Sequence, residues 1–409
     1  MKVLYISYDG MTDPLGQAQV IPYLQGLSER FGHEFVLLSF EKADNYSVHK
    51  EKITALLKPY NINWQPQMYT KSPPVLSTVK DIYVMQKAAI NLCKKHKIET
   101  LHCRSYIAAL VGLMLKKSLK VKFVFDMRGF WADERVDGKL WNLSNPIFNT
   151  IYKFFKKKEL QFFQQADYVI SLTHNGKKEI LSWPAIDASK IKIQVIPCCV
   201  NTALFSQSNV KPELQEEFRK QLNISVDQTV ITYIGSVGTW YMLDEMLDFF
   251  KVFKANKPNA KFLFITPDKP EHILKAVTDK GLAPNDFPIL QGEREFIPTL
   301  LSLCAASIFF IKPAYSKKAS SPTKQGELMS MGIPVICNAN VGDTDYVVNT
   351  YHSGVVVDDF SEAAYLKVVT GFDQLLQLNK QTIEAGAEDF YSLKKGVELY
   401  NQVYDNLKP

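Results

Sequence analysis

The sequence lacks any long apolar segment. None of its stretches approaches the roughly 20 consecutive apolar residues that a membrane-spanning helix needs. The first apolar segment, Val3–Ser7, is also too short for the core of a signal peptide and has no small-residue cleavage site after it. We therefore interpret it as a β-strand and expect a cytoplasmic protein.

The sequence also has few cysteines and only a small net charge. The six cysteines show neither the spacing of a zinc site nor that of a disulfide framework. No Asp-x-Asp pair precedes a plausible diphosphate site, so we predict no metal and no cofactor. The net charge of +6 permits an anionic partner such as nucleotide phosphates or lipid head groups. Nucleic acid is not an expected partner, because no recognised binding motif accompanies the charge.

A length of 409 residues exceeds one typical hydrophobic core and predicts two domains. Short β-branched or aromatic segments alternate with longer amphipathic ones in both halves, which favours parallel sheets covered by helices on both faces. We predict an α/β protein with two doubly wound, Rossmann-like domains, 1–200 and 201–385, facing each other across a cleft. A C-terminal helix over 386–409 is expected to pack back on the first domain. Ligands of such sheets lie at the carboxyl ends of the strands.

The segment Ser320–Val335 carries the strongest chemical signal. Ser321 followed by Pro322 is typical of a helix start, with Ser321 as the N-cap. Gly332 and Pro334 predict the end of this helix. The free N–H groups of a first helical turn, at the positive end of the dipole, suit a diphosphate.

Two charged residues in this helix fit the same chemistry. Lys324 can add a positive charge at the diphosphate, and Glu327, one turn further on, can accept hydrogen bonds from the two hydroxyls of a ribose. An ordinary capped helix with a solvated lysine and glutamate is the alternative.

Together these residues resemble the nucleotide-sugar motif of the retaining GT-B glycosyltransferases, in particular family 4. The resemblance assigns the ribose contact to Glu327. In the family, another glutamate earlier in the motif contacts the donor sugar. It would stand at position 319, where this chain has Ala319. The resemblance therefore implies a GT-B fold and a nucleotide-sugar donor, and it leaves the sugar to other groups. The donor-binding candidates here are Ser320, Ser321, Pro322 and Thr323.

A glycine-containing turn follows the predicted strand Val230–Ile234. Glycines at such a turn let the backbone approach a ligand closely. Resembling enzymes place an arginine and a lysine in this loop against the diphosphate, whereas this chain has Ser236 and Trp240-Tyr241. The resemblance implies donor binding by Gly235, Ser236, Gly238 and Thr239, with charge compensation by Lys324, Arg128 and Arg294. A tight turn with a packing aromatic residue is the alternative.

The loop Tyr8–Gln19 follows the first predicted strand and leads into a helix. It does not match the Gly-x-Gly-x-x-Gly pattern, which argues against a dehydrogenase. The resemblance places such a loop beside the donor phosphate and the acceptor. We expect the backbone N–H groups of Gly16 and Gln17 to point into the cleft.

Polar residues also follow two other predicted strands. The family often has histidines where this chain has Arg104 and Arg128, the second of them close to the donor sugar. An arginine offers a bidentate fork to a phosphate or a carboxylated sugar. We predict Arg128, with Lys324, as catalytic, and Arg104, Asp133 and Glu134 on the acceptor side. A surface ion network around Asp133 is the alternative. Arg294 lies where the family packs the nucleobase.

The stretch 141–163 combines seven aromatic residues with a cluster of lysines. A helix starting at about Pro146 would carry aromatic and aliphatic residues beside these lysines. Such basic amphipathic helices lie on anionic membranes. A buried helix whose lysines reach the solvent from its rim is the equal alternative.

The sequence therefore predicts a hexosyltransferase-type glycosyltransferase. It would move a sugar from a nucleoside diphosphate sugar to a hydroxyl of a glycan or lipid-linked acceptor with retention, in bacterial surface polysaccharide or glycolipid synthesis. Contact with the inner face of the membrane through 141–163 is part of this hypothesis. The alternatives are an epimerase of nucleotide sugars with the same fold and a non-catalytic, membrane-associated homologue.

Overall fold

The computed structural model describes residues 1–408, which form two compact units. The first unit comprises Met1–Cys198, Lys318–Ser320 and residues 393–408. The second comprises Cys199–Lys317 and Ser321–Ser392. Each contains one parallel sheet, so the prediction of two parallel α/β units is confirmed.

The first unit is built on a seven-stranded parallel sheet of order β3-β2-β1-β4-β5-β6-β7. Its strands are β1 (Lys2–Ser7), β2 (Glu34–Glu41), β3 (Ile62–Met68), β4 (Thr100–Arg104), β5 (Lys122–Asp126), β6 (Tyr168–Ser171) and β7 (Ile193–Val195). Strands covered on both faces are apolar nearly throughout, as the burial of all but the first residue of β1 shows.

The strand β3 is absent from the sequence prediction. Its sequence is polar and contains Pro66, which cannot donate to a β-ladder and is tolerated at a sheet edge. The strand indeed lies at the edge and pairs only with β2 among the described strands.

Helices cover both faces of this sheet. They are α1 (Pro14–Gln19), α2 (Ile21–Phe31), α3 (Ala43–Leu57), α4 (Leu76–His96), α5 (Ser105–Leu119), α6 (Trp131–Asp137), α7 (Pro146–Gln165) and α8 (His174–Leu181).

The second unit has a six-stranded parallel sheet of order β10-β9-β8-β11-β12-β13. Its strands are β8 (Val230–Ile234), β9 (Lys261–Ile265), β10 (Ile289–Leu290), β11 (Ala306–Phe309), β12 (Val335–Asn338) and β13 (Gly354–Val357). Its helices are α9 (Pro212–Gln221), α10 (Leu243–Asn256), α11 (Pro270–Asp279), α12 (Ile297–Leu301), α13 (Thr323–Ser330), α14 (Thr344–Thr350), α15 (Glu362–Thr370), α16 (Phe372–Leu375) and α17 (Lys380–Tyr391).

The C-terminal helix begins later than predicted. Residues 386–391 belong to α17 in the second unit, and extended backbone at Ser392 ends that helix. A separate helix, α18 (Leu393–Asp405), belongs to the first unit and packs on α2. The approach is so close that a Cβ at Gly26 would lie 2.8 Å from a methyl of Val397.

In both sheets the strand order reverses direction at one point, which is where open α/β sheets bind ligands. In the first unit this point lies between β1 and β4, where Ser7 pairs with Arg104. In the second it lies between β8 and β11. The residues after these strands are therefore the first place to look for a site.

Candidate functional site

The helix α13 begins one residue later than predicted. Pro322, rather than Ser321, is the N-cap, and its side chain makes no capping hydrogen bond. The first turn of a helix lies at the positive end of the helix dipole, where an anion binds favourably. Gly332, with φ of +65°, follows the end of the helix, in agreement with the predicted stop.

The side chain of Lys324 is buried in the first turn of α13. Only 7% of the residue is exposed. Its Nζ lies 3.8 Å from the ring centroid of Tyr233 and 3.6 Å from that of Tyr241, and it has no hydrogen-bond partner within residues 1–408. Burial lowers the pKa of Lys324 well below its ordinary value, although Glu327 opposes the shift. The two rings offset part of the cost of burying this cation, and an anion would complete its coordination.

Glu327 lies one turn further along α13 and is 8% exposed. Arg294 approaches it, with Nη2 3.4 Å from Oε1. Burial raises the pKa of Glu327 to about 7, against the opposing charges of Arg294 and Lys324. The guanidinium of Arg294 also lies 5.4 Å from the ring centroid of Phe205. The structure thus brings together three predicted residues: Lys324, Glu327 and Arg294.

The loop after β8 closes over Lys324. Gly235 has φ of +106°, and a Cβ there would lie 3.4 Å from Nζ of Lys324, so glycine suits both the backbone and the space. Beyond it, Gly238 and Thr239 are exposed, and the N–H of Tyr241 donates to the carbonyl of Gly238 in a turn.

A carboxylate that the sequence analysis did not find holds this loop. Asp268 accepts hydrogen bonds from Oγ of Ser236 at 2.8 and 2.9 Å and from the N–H of Val237 at 2.5 Å. It follows β9, the neighbour of β8 in the sheet. The rule that polar residues after adjacent strands meet at one edge could have identified it.

Ala319 and Ser320 belong to the first unit. Ala319 is fully buried. Its Cβ lies so close to Gly176 that a Cβ added to this glycine would be only 2.9 Å away. The preceding carbonyl, of Lys318, accepts a hydrogen bond from Oγ1 of Thr173. The side chain of a glutamate at position 319 would therefore have little space around its Cβ, which agrees with the alanine found there.

In the first unit, one buried glutamate organises the loop after β1. Glu41, at the end of β2, accepts hydrogen bonds from the N–H groups of Met11 and Thr12 at 2.8 and 3.0 Å. It also accepts from the hydroxyls of Thr12 and Ser39 at 2.6 and 2.5 Å. The three contacts with Met11 and Thr12 join residues about 30 positions apart in the chain, so sequence spacing gave no sign of them, whereas Ser39 lies on the same strand as Glu41.

We expect Glu41→Gln to destabilise the protein by about 2–3 kcal/mol, because an amide has one acceptor oxygen and leaves a buried N–H of the loop unpaired. Urea unfolding measures the change. Glu34→Gln, at the exposed start of the same strand, is the matched control and should change the stability by less than about 0.5 kcal/mol. Equal stabilities of the two variants would contradict this role of Glu41.

Gly16 lies in α1, where the chain passes itself closely. A Cβ at Gly16 would lie 2.2 Å from the carbonyl oxygen of Gly10, so only glycine fits. The expectation for Gln17 is wrong: its N–H donates to the carbonyl of Asp13 within the helix. The donor contact of Gly16 stays a prediction.

Arg104 ends β4 at the point where the strand order reverses. Its Nε lies 3.2 Å from Oδ2 of Asp9, while its buried Nη1 has no hydrogen-bond partner within residues 1–408. An unpaired N–H of a buried guanidinium is costly unless a ligand satisfies it. The arrangement is consistent with the predicted role of Arg104 in binding.

Arg128 follows β5 in a strained left-handed conformation, with φ of +57°. Its Nη1 lies 3.8 Å from Oδ1 of the buried Asp126, and its Nη2 lies 3.2 Å from Sγ of Cys198. Asp126 also accepts a hydrogen bond from the hydroxyl of Tyr400 and contacts Nε2 of His102. Burial raises the pKa of Asp126, but the charge of Arg128 and the hydrogen bond with His102 outweigh it and keep this pKa below its usual value. The catalytic role of Arg128 stays a prediction.

Asp133 and Glu134 lie in the first turn of α6. Both oxygens of Asp133 already have partners: the hydroxyl of Tyr152 donates to one and Nζ of Lys156 to the other, each at 2.8 Å. Lys156 also pairs with the buried Glu159. The alternative of an ion network is therefore present for Asp133, with Lys156 as its cation.

The helix α7 starts at Pro146, as predicted, with the side chain of Asn145 as its cap. Phe155, Phe162 and Phe163 are buried in the first unit. Ile147 and Phe154 are exposed on the same helix, so its outer face keeps apolar surface. Membrane contact stays a prediction.

Two features are absent from residues 1–408. No helix there is long and apolar enough to cross a bilayer. No group of three or more histidine, cysteine, aspartate or glutamate side chains is placed to hold a metal ion.

Comparison with solved structures identifies the fold. Sucrose-phosphate synthase from Thermosynechococcus elongatus is 14% identical, with a TM-score of 0.74 over 99% of this chain and 98% of that one. Anabaena Alr3699/HepE, solved in complex with UDP and glucose, is 14% identical, with a TM-score of 0.69 over 100% and 99% of the two chains. The chain has the GT-B fold of these proteins.

Sequence comparison then gives two related domains. The model described as Glycosyltransferase Family 4 matches residues 16–204, and the model described as Glycosyl transferases group 1 matches residues 215–389. The chain therefore contains one region similar to each of these two glycosyltransferase domains. It is 22% identical over 227 residues to TuaC of Bacillus subtilis, whose name assigns it to teichuronic acid biosynthesis. That match covers 54% of this chain and 52% of TuaC, about half of each.

Proposed function

We propose that this protein transfers a sugar from a nucleoside diphosphate sugar to an acceptor hydroxyl, with retention of the anomeric configuration. The observation that carries the proposal is the buried, unpaired ammonium of Lys324 at the start of α13, one turn before the buried carboxylate of Glu327. The ammonium would pair with the diphosphate, and the carboxylate would accept hydrogen bonds from the ribose.

The chemistry would be mainly electrostatic. A departing diphosphate gains negative charge, and preorganised donors in a dry site stabilise such charge strongly. Lys324 and the N–H groups in the first turn of α13 would be donors of this kind. The similarity to the two glycosyltransferase domains supports transfer of a sugar, and the complex of HepE with UDP and glucose supports UDP as the first nucleotide to test.

The acceptor side of the proposal rests on the sequence comparison. The partial match to TuaC supports a role in the synthesis of a bacterial surface polysaccharide. We further propose a hexosyl donor and a glycan or lipid-linked acceptor, as the resemblance of the sequence motifs implies. The roles of Arg104, Arg128 and Glu134 belong to this proposal.

The experiment is a panel of nucleoside diphosphate sugars incubated with the purified full chain. We expect UDP to raise the melting temperature and one donor to be hydrolysed slowly, with release of diphosphate nucleotide. Once an acceptor is found, NMR of the product should show the donor's anomeric configuration.

Other outcomes would favour the alternatives. Conversion of a donor into an isomeric nucleotide sugar would replace the transferase by an epimerase. Nucleotide binding without turnover, even with extracted lipid acceptors, would indicate a non-catalytic homologue. The absence of any nucleoside diphosphate binding would contradict both the donor site and the proposal.

A further inference from the structure

A largely apolar cavity lies within the first unit, beside the carboxyl end of β4. Its volume is about 810 Å³, within the range of roughly 300–1,000 Å³ that small-molecule sites occupy. The helices α4, α5, α6 and α7 supply most of its wall. Arg104 and part of the stretch 141–163, both discussed above, contribute to its lining.

The wall of this cavity is mainly aromatic and aliphatic. The aromatic side chains of α6, α7 and the connection between them include Trp131, Trp141 and Phe154. The wall opens towards solvent at Val79, which is 59% exposed, and at Phe154, which is 45% exposed. An apolar, concave surface left open to water typically marks a binding site.

The charged residues of the lining are three cations and one anion. Arg104, which is 3% exposed, lines the cavity, and its Nη1 lacks a hydrogen-bond partner within residues 1–408. Lys71 and Arg135 are the other cations, and Asp9 is the anion. The lining therefore combines a long apolar wall with an arginine that lacks an acceptor for one of its N–H groups.

We propose that this cavity binds a lipid phosphate, that is, a single-chain amphiphile with an anionic phosphate head. The chain would lie against the aromatic wall, and Arg104 would bind the phosphate through its guanidinium. A free glycan fits less well, because its hydroxyls would lose water against a wall that is mainly apolar. The inference rests on the proposed function for one step: it makes the acceptor a sugar carried on such a lipid.

Calorimetry with farnesyl phosphate, below its critical micelle concentration, tests the binding directly on the full chain. Farnesol supplies the chain without the head, and inorganic phosphate supplies the head without the chain. We expect one farnesyl phosphate per protein, bound at least about 10-fold more tightly than farnesol. One lost charge-assisted hydrogen bond accounts for a factor of this size. Inorganic phosphate alone should not bind.

Two variants with matched controls locate the site. Val79→Trp fills the open side of the cavity, and Val48→Trp, at a 72% exposed position on α3 outside the lining, is its control. Arg104→Gln removes the phosphate contact, and Arg30→Gln on α2 is its control. The two cavity variants should weaken binding at least about 10-fold, and the controls should bind like the wild type. Circular dichroism verifies that all four fold.

Three results would overturn the inference. The first is no binding of farnesyl phosphate, and the second is an equal effect of each variant and its control. The third is binding of a soluble oligosaccharide, or adsorption to anionic vesicles, without binding of the monomeric lipid phosphate. UDP-induced stabilisation, measured on the same samples, separates this inference from the proposed function. Stabilisation by UDP without lipid binding would contradict only the assignment of the cavity. Lipid binding without stabilisation by UDP would contradict only the donor site.

Discussion

Lys324→Met is expected to raise the melting temperature of the free protein and to remove the stabilisation by UDP. The ammonium of Lys324 is buried between Tyr233 and Tyr241 without a hydrogen-bond partner among the described residues, and this burial costs the free protein stability. Methionine fills a similar volume without a charge. Each kcal/mol gained should raise the melting temperature by roughly 2–4 °C in a domain of this size.

The same substitution should strongly weaken the binding of UDP and strongly lower the turnover rate. Loss of a charge-assisted contact with the diphosphate should weaken UDP binding about 10–100-fold. Turnover should fall by about 10²–10³, as when one donor to developing negative charge is removed. Differential scanning fluorimetry with and without UDP measures the change in stability and the loss of UDP binding. Release of diphosphate nucleotide from the donor measures the loss of turnover.

The gain in stability expected from Lys324→Met in the free protein depends on pH, and the direction of this dependence follows from the pKa of Lys324. Because the pKa of Lys324 is lowered in the folded protein, the folded state binds fewer protons here than the unfolded state. The penalty is complete below the folded pKa and fades as the pH rises towards 10.5, the ordinary pKa of a lysine. The advantage of Lys324→Met in the free protein should therefore be largest at low pH and shrink in alkaline solution.

Lys261→Met is the matched control for this variant. Lys261 is also buried in the second unit, but its Nζ donates to the carbonyl of Asn223. Its replacement should not raise the melting temperature and should leave the response to UDP unchanged. If Lys324→Met responded to UDP like the wild type, the diphosphate would not contact this lysine.

The sequence predicted the architecture because both sheets are parallel and buried, so that their strands are short apolar segments with helices between them. The exception is β3, whose Pro66 and polar residues suit only the edge of a sheet. The C-terminal helix was misjudged because nothing in residues 386–409 signals the extended backbone at Ser392.

The site was predictable only where its residues are close in sequence. Lys324 and Glu327 share one helix, and a motif can therefore reveal both. Asp268 and Glu41 act on loops about 30 residues away in the chain. Such contacts depend on which strands become neighbours, and this information emerges only with the sheet order.

Glu327 gives the second large effect, and its ionisation can be separated from its role in binding. Since burial raises the pKa of this carboxyl from 4.5 to about 7, the folded protein holds the proton more tightly than the unfolded one. The resulting contribution to stability is complete below pH 4.5 and is lost as the pH rises through about 7. In Glu327→Gln, which stays neutral, the free protein should be more stable than the wild type at pH 8, by at most about 3 kcal/mol. The two proteins should converge near pH 4, and urea unfolding across this range measures the difference.

Binding is tested with Glu327→Ala and with a nucleotide that lacks both ribose hydroxyls. For the wild type, 2′,3′-dideoxy-UDP should bind about 10–100-fold more weakly than UDP, because hydrogen bonds to a buried carboxylate are lost. In Glu327→Ala the UDP-dependent stabilisation should disappear, and the two nucleotides should bind equally weakly, since the interaction is already gone. Glu271→Ala, at an exposed position in α11, should keep the wild-type preference. If Glu327→Ala still distinguished the two nucleotides as the wild type does, the ribose would be bound elsewhere, and the raised pKa of Glu327 would reflect its burial beside Arg294 alone.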